Sequence, residues 1–329
     1  VQDNICIHRG APLSEGYIDI TSKNLRCSYH GWEFSPQGNI KSIPQSEMCS
    51  KCDKKASKFN QRTYQTELSN NILWINLNEN ITTFPNHIKN YNMSVSDDTT
   101  VVEVPYTMNI LLENLFDPAH VPFAHHNLQS SRDLASTVNC SVVNMNSSSL
   151  EIYFEDNTLK NNEYRNGTMS FNNPSHYMLN SLYPDVFIKR LHVYCVPIYP
   201  HKTRIFVQNE YKDEKFKRIY SFVPTWFKHI ITQSFFDSDT MLLYKQEKQL
   251  RERNSLHNCT DTYITPTSSD KAIYFYHKWK KKYPTRIGHV LGNGLLRGVF
   301  IKKEKTAELD FDLTNYICER AMEKGVFSI

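Results

Sequence analysis

Early in the chain, apolar and polar residues alternate with a period of two in short runs such as Gly16–Ile20 and Asn71–Leu77, each bounded by Gly, Pro, Ser or Asn. Successive side chains of a strand point to opposite faces, so this period marks half-buried strands and the bounding residues mark turns. Residues 1–78 are expected to fold as a small all-β module. Only four residues separate Val1 from Cys6, so the module's opening strands are expected to lie before the first residue. Residues 79–100 are rich in Asn, Thr, Ser and Asp, lack an apolar period and read as a linker. Residues 101–329 make the expected second domain. Its strand-like runs, Leu150–Phe154, Phe187–Tyr194 and Arg204–Gln208, come first, and a helical period follows from about Asp237 to Arg253 and from Asp270 to Lys282. Strands segregated from later helices define an α+β class, here a mostly antiparallel sheet with helices to one side.

At 329 residues and 40% hydrophobic content the chain can bury two ordinary cores. Its 38 basic and 34 acidic residues leave a net charge of +4, too weak a field to call for nucleic acid as a partner. The longest apolar stretch, Val290–Ile301, is interrupted by Asn293 and Arg297. It falls short of the roughly 18 residues a spanning helix needs, so no membrane association is expected.

The 8 cysteines are scattered, without the dense framework of a disulfide scaffold, so metal binding by a subset is the economical reading. Cys6 and His8 form one pair and Cys27 and His30 another, each in a tight loop followed by glycine, Gly10 and Gly31. Two thiolates for one iron and two imidazoles for the other are what a 2Fe-2S cluster of mixed ligation requires. Tetrahedral zinc accepts the same inventory, but zinc modules more often pair like with like along the chain. Cys49 and Cys52, spaced Cys-x-x-Cys, lack a surrounding βαβ pattern and read as inert thiols, with a redox pair as the alternative.

A second cluster of ligand types lies between Glu113 and His126, including Asn114, Asp117, His120, His125 and His126. Two imidazoles and a carboxylate on one face suit a mononuclear iron(II) that activates O₂. Five residues along an unbroken helix would set His120 and His125 about 140° apart, so a break is needed. Pro122, which removes a backbone donor and disfavours the helical conformation at Val121, is expected to supply it as a kink or a helix start. His126 remains a rival to His125. The third ligand is expected to be Asp239, at helical spacing from Leu242, Leu243 and Gln246, while Asp237 fits a helix N-cap.

Together these motifs resemble the Rieske oxygenases. The run Asn114–His125 is similar to the iron motif of the pheophorbide a oxygenase, chlorophyllide a oxygenase and inner-envelope translocon Rieske group. Ile43–Gln45, Val196–Pro197 with Lys202–Arg204, and Pro266–Asp270 leading to Trp279 extend the likeness. The resemblance implies that Cys6, His8, Cys27 and His30 ligate a 2Fe-2S cluster and that His120, His125 and Asp239 ligate a mononuclear Fe(II), with O₂ as co-substrate. Asn114 and Asp117 become catalytic-site residues, and Asp117 links the two centres between subunits of a homotrimer. The second domain takes a helix-grip form. The implied activity is a monooxygenase or dioxygenase, supplied with electrons by a ferredoxin or reductase and acting in a plastid envelope or thylakoid. Its implied substrate is an apolar ring, a chlorophyll-derived chlorin above all. A different small aromatic or alkyl substrate, or a redox-sensing accessory role in a plastid translocon, are the rival readings. Two departures stand out: His201 replaces a Gly common in the group, and Cys318 stands alone where relatives carry a Cys-x-x-Cys tail.

Overall fold

A computed structural model describes residues 1–45, 59–69, 72–76, 99–156, 165–181, 188–211, 214–253, 264–283, 287–291 and 298–301. Cys49, Cys52, Cys259, Cys318 and most of the expected linker lie outside these residues. The chain divides into two compact units whose main spans are Val1–Tyr91 and Asn92–Gly292.

In the first unit, β1 (Tyr17–Ile18), β2 (Leu25–Arg26), β3 (Glu33–Phe34) and β4 (Ile40–Ser42) form an antiparallel sheet in chain order, and β5 (Gln65–Ser69) pairs separately with β6 (Ile72–Asn76). Strands this short bury little. The core is correspondingly small, with Leu13 and Phe34 packed around Cys6 and Cys27. Gln61 compensates: buried to 2% exposure, its amide donates to the carbonyls of Asp3 and Ile5 and accepts from the Ile7 N–H. Its contacts add to the antiparallel bridge between Gln2 and Thr63 that pairs the leading segment through the backbone.

The second unit is built on a seven-stranded antiparallel sheet. β7 (Thr100–Val104) begins it; after a helical segment come β8 (Asn139–Met145), β9 (Ser149–Asp156), β10 (Arg165–Asn172), β11 (His176–Ser181), β12 (Ile188–Tyr199) and β13 (Lys202–Tyr211), in the spatial order β7-β13-β12-β11-β10-β9-β8. β9 alternates half-buried and buried positions along its whole length, as a strand packed on one face must. Leu150, Ile152 and Phe154 of β9 join Met169, Phe171, Val193, Cys195, Ile205 and Val207 on the buried face. Helices cover that face: α1 (Met108–Leu115), one-turn α2 (Val121–Ala124), α3 (Glu214–Ser221), α4 (Thr225–Glu252) and α5 (Lys271–Lys282). α1 contributes Ile110, Leu111 and Leu112, while Tyr276 of α5 stacks on Phe116 with ring centres 5.5 Å apart. Each such side chain removed from water adds about 1.5–3 kcal/mol, so the helices that carry the candidate site are anchored by the core. β14 (Ile287–Leu291) and β15 (Gly298–Ile301) pair with each other.

One boundary differs from expectation. α4 begins after Pro224, well ahead of Asp237, and Asp237 sits exposed within it, accepting from Gln233 Nε2 at 2.7 Å. It is no N-cap. The early turns of α4 carry Trp226, Phe227 and Ile230 on the surface and bury Lys228, so they show no ordinary amphipathic period. No helix among the described residues is long and apolar enough to cross a membrane.

Candidate metal centres

The two N-terminal loops share one backbone design. In the first, Cys6 N–H donates to Ala11 O and Gly10 N–H to Cys6 O; in the second, Cys27 N–H donates to Trp32 O and Gly31 N–H to Cys27 O, all at 2.8 to 2.9 Å. Closing so tight a turn requires a left-handed residue, and Gly10 and Gly31 supply it at φ +75 and +71. A Cβ on Gly31 would also stand 3.0 Å from Pro44 Cγ, so the Ile43–Gln45 segment lies against the second loop.

The loops sort their side chains like with like. Both cysteines are 2% exposed, and their sulfurs are in hydrogen-bonding contact, while the imidazoles of His8 and His30 meet edge to face with centres 4.7 Å apart. Trp32 stacks on His8 at 4.4 Å, and burial, with the neighbouring His30 and Arg9, lowers the His8 pKa, in the direction that favours the neutral ring a metal ligand needs. Burial raises the Cys6 thiol, and its contact with Cys27 raises it further. A thiol raised in this way is a poor thiolate by itself, but coordination to iron deprotonates a cysteine ligand, so a pair of adjacent buried cysteines beside two imidazoles fits a 2Fe-2S cluster.

The second set lies around α2. Asp117 is extended at φ -106, ψ 92, as its position before proline demands, and its Oδ1 accepts the Ala119 N–H at 2.9 Å, capping a 3₁₀ turn over Pro118–His120. A helix start at Pro122, one of the two expected forms of the break, is present, but Val121 does not leave the helical conformation: it stands at φ -54, ψ -45, and Pro122 fits inside the first turn, where it forfeits no hydrogen bond. Instead, the tight 3₁₀ turn ends at His120, and α2 ends at Ala124, with His125 as its C-cap. The two histidines flank a single turn, and their Nε2 atoms come within 3.3 Å. His126 faces away, accepting the Arg132 N–H at 3.2 Å.

α4 brings Asp239 to the same point. Its Oδ2 lies 3.5 Å from His125 Nε2 and 3.8 Å from His120 Nε2, and one ligand atom from each of the three residues lies within 4.8 Å of the others. Asn114 hydrogen-bonds the Asp239 carboxylate, which gives this α1 residue a definite task. Asp117 Oδ2 stands off at 3.9 Å from His120 Nδ1. Burial dominates the electrostatics: it pushes Asp239 up to about 7, Asp117 up to about 6 and His120 down to about 4, and it lowers His125. Two neutral imidazoles and a carboxyl reluctant to ionise form a poor cluster alone. A divalent cation reverses that balance, so the set fits a metal of the two-His, one-carboxylate kind.

Several supports carried no signal in the sequence. The guanidinium of Arg165 pairs with the buried Asp156 at 2.7 Å and reaches Pro118 O at 3.4 Å, bracing the histidine turn from the sheet. Glu247 accepts the Thr107 N–H at 2.7 Å at the start of α1 and also pairs with His201, tying α4 to α1. His201 holds φ +62, the left-handed conformation a Gly adopts freely, which accounts for the group's usual residue there. Ser238 contacts His125 Nδ1 at 2.7 Å.

Residues 1–63 match the Rieske [2Fe-2S] domain, and residues 171–257 match the pheophorbide a oxygenase domain. The chain thus carries a Rieske [2Fe-2S] domain and a pheophorbide a oxygenase domain, and it is similar to Rieske oxygenases. It is 30% identical to flavonoid 8-hydroxylase 2, chloroplastic, of Ocimum basilicum, over 86% of this chain and 58% of that protein. It is 26% identical to pheophorbide a oxygenase, chloroplastic, of Arabidopsis thaliana, over 99% of this chain and 65% of that protein. With Protein TIC 55, chloroplastic, of the same plant, the figures are 27%, 86% and 53%. The chain thus spans somewhat under two thirds of the length of these relatives. Among solved structures, dicamba monooxygenase bound to dicamba aligns with a TM-score of 0.58 at 16% identity, covering 84% of each chain. The terminal oxygenase of carbazole 1,9a-dioxygenase from Nocardioides aromaticivorans aligns at 0.57 and 15%, covering 84% of this chain and 82% of that one. These two share the fold.

Proposed function

We propose that the chain is the terminal oxygenase of a Rieske system acting on an apolar ring substrate. The convergence of His120, His125 and Asp239, in a chain that also carries a Rieske domain, is the observation that supports this reading most. Cys6, His8, Cys27 and His30 would hold the 2Fe-2S cluster, and His120, His125 and Asp239 the mononuclear iron. When bound, the cluster supplies single electrons and the iron supplies the place where O₂ is reduced. The chain's own residues prepare that place. Asn114 restrains the Asp239 carboxylate, Arg165 braces the turn that carries His120, and Phe235 sets its ring edge against His125 at 5.7 Å, giving the site an apolar wall. Asp117, capped against Ala119 and beside His120, is placed to carry the hydrogen-bonded link between centres within a homotrimer. A ferredoxin or reductase is the proposed donor. The chloroplastic relatives support a plastid location.

For substrate, the pheophorbide a oxygenase relatives favour a chlorophyll-derived chlorin. The likeness to flavonoid 8-hydroxylase favours a second reading, a smaller phenolic ring. Relatives named as translocon components keep a redox accessory role as a third. Incubation with ¹⁸O₂, a reducing system, and chlorin and flavonoid panels separates them. A chlorin product heavier by label supports the first, labelled flavonoid the second, and no substrate-dependent O₂ uptake with either panel counts against the oxygenase reading.

A further inference from the structure

His125 is held from behind by a hydroxyl whose own proton is already committed. Ser238 Oγ lies 2.7 Å from His125 Nδ1 and 2.7 Å from the Phe235 carbonyl oxygen, on the preceding turn of α4. A carbonyl oxygen only accepts, so the Ser238 proton goes to Phe235, and Ser238 can offer His125 nothing but a lone pair. His125 must then carry its proton on Nδ1. Its Nε2 is left unprotonated and turned toward Asp239, 3.5 Å away. His120 reaches the same state by another route, its Nδ1 bonding the backbone carbonyl of Asp117, which also accepts only. Two Nε2 lone pairs therefore face each other at 3.3 Å, where neither can donate to the other.

We propose that Ser238 is a positioning residue for the mononuclear metal: the chain Phe235 C=O to Ser238 hydroxyl to His125 Nδ1–H fixes the tautomer and ring direction of that ligand. The inference rests on the proposed reading of His120, His125 and Asp239 as a metal site. Metal-bound imidazoles are commonly oriented through their second nitrogen, and losing that partner typically lowers metal affinity roughly 10- to 100-fold. What is particular here is the economy of α4: one helix presents Asp239 as a ligand and, one residue earlier, Ser238 as the support of a ligand on another element. Phe235, packed edge-on to His125 with planes at 75°, hinders the ring from swinging away.

The test is Fe(II) affinity of the full chain with its cluster reconstituted, measured by chelator competition for the parent, Ser238→Ala, Ser238→Thr and Asp239→Ala. Ser238→Ala is expected to bind Fe(II) roughly 10- to 100-fold more weakly, with an unchanged cluster spectrum and an altered rhombicity in the electron paramagnetic resonance of the Fe(II)–nitric oxide adduct. Ser238→Thr should stay near the parent, because a helical threonine hydroxyl also bonds the carbonyl one turn back. Parent-like affinity and nitrosyl spectrum in Ser238→Ala, or equal loss in Ser238→Thr, overturns the role of Ser238 and leaves the metal site standing. A parent that binds no more Fe(II) than Asp239→Ala overturns both.

Discussion

The two proposed ligand sets are built on opposite plans. Cys6, His8, Cys27 and His30 sit on two short loops of the same backbone pattern, closed by main-chain hydrogen bonds and a left-handed glycine in each. His120, His125 and Asp239 come from a 3₁₀ turn, the end of a one-turn helix and a distant long helix; Asn114 and Arg165, from other elements, support them, and Glu247 ties that long helix to α1. The first is a local motif that needs little beyond its own residues. The second exists only when α1, α2 and α4 are packed on the sheet. A perturbation of tertiary packing in the second unit should therefore reach the mononuclear site and spare the cluster.

The sharpest way to break this contrast is to remove ligands one at a time. Asp239→Ala or His120→Ala should abolish stoichiometric mononuclear iron and oxygen uptake while the reduced cluster keeps its electron paramagnetic resonance signal. Cys6→Ser should remove the cluster signal and leave the mononuclear iron in place, with oxygen uptake lost here as well. Iron and acid-labile sulfide analysis reads both, and loss of both metals from either single change would show that the sites are not independently built. Next in size is Asp117→Asn. An asparagine oxygen can still cap Ala119 N–H, so folding and both metal contents should stay near normal. If the carboxylate links the centres, cluster-to-iron electron transfer falls by orders of magnitude in single-turnover kinetics. A parent-like rate leaves Asp117 as a cap only.

The same contrast explains what the amino-acid order reveals. Cys6, His8, Cys27 and His30 announce themselves because spacing and glycines are local. His120 and His125 are recognisable as candidates, and Pro122 does mark a helix start, but Val121 keeps the helical conformation and the tight turn ending at His120 supplies the change of direction. Asp239 was within reach through its helical spacing, yet the start of α4 was not, since exposed Trp226 and Phe227 disguise the helix. Gln61, Glu247 and Ser238 are common residue types with no motif around them. Their tasks arise from partners that only the fold supplies.

Glu247 offers a more modest way to sharpen the comparison, through stability. It is 1% exposed, accepts the Thr107 N–H and pairs with His201, so Glu247→Gln weakens a buried charged hydrogen bond, costing about 1.5–3 kcal/mol. His201→Gly loses the hydrogen bond to Glu247 but relieves a non-glycine residue at φ +62, so the two effects should nearly cancel. Chemical denaturation of the second unit reads both. A larger loss in His201→Gly than in Glu247→Gln would mean that the histidine, not the carboxylate, is the clamp.

The smallest effect expected is in how the two sites load with pH. In the metal-free protein burial holds Asp239 near 7 and His120 near 4, so between those values the site rests with a protonated carboxyl and a neutral imidazole. Binding Fe(II) then displaces one proton, from Asp239. The sign follows from mass action: raising the pH removes the competing proton, so affinity should climb by about tenfold per pH unit from roughly pH 5 to 6.5 and flatten above about 7, where the carboxylate is already ionised. By itself the raised Asp239 pKa also makes the metal-free fold lose stability as pH rises from its ordinary carboxyl range through about 7, a loss that bound Fe(II) offsets. Asp239→Asn removes the titrating group, and whatever weak affinity remains should lose most of this slope. Chelator competition at a series of pH values, with the cluster intact throughout, gives the slope directly. A flat profile in the parent would mean that Asp239 is already ionised in the empty site, and that polar contacts such as Asn114, not the arriving cation, hold its charge.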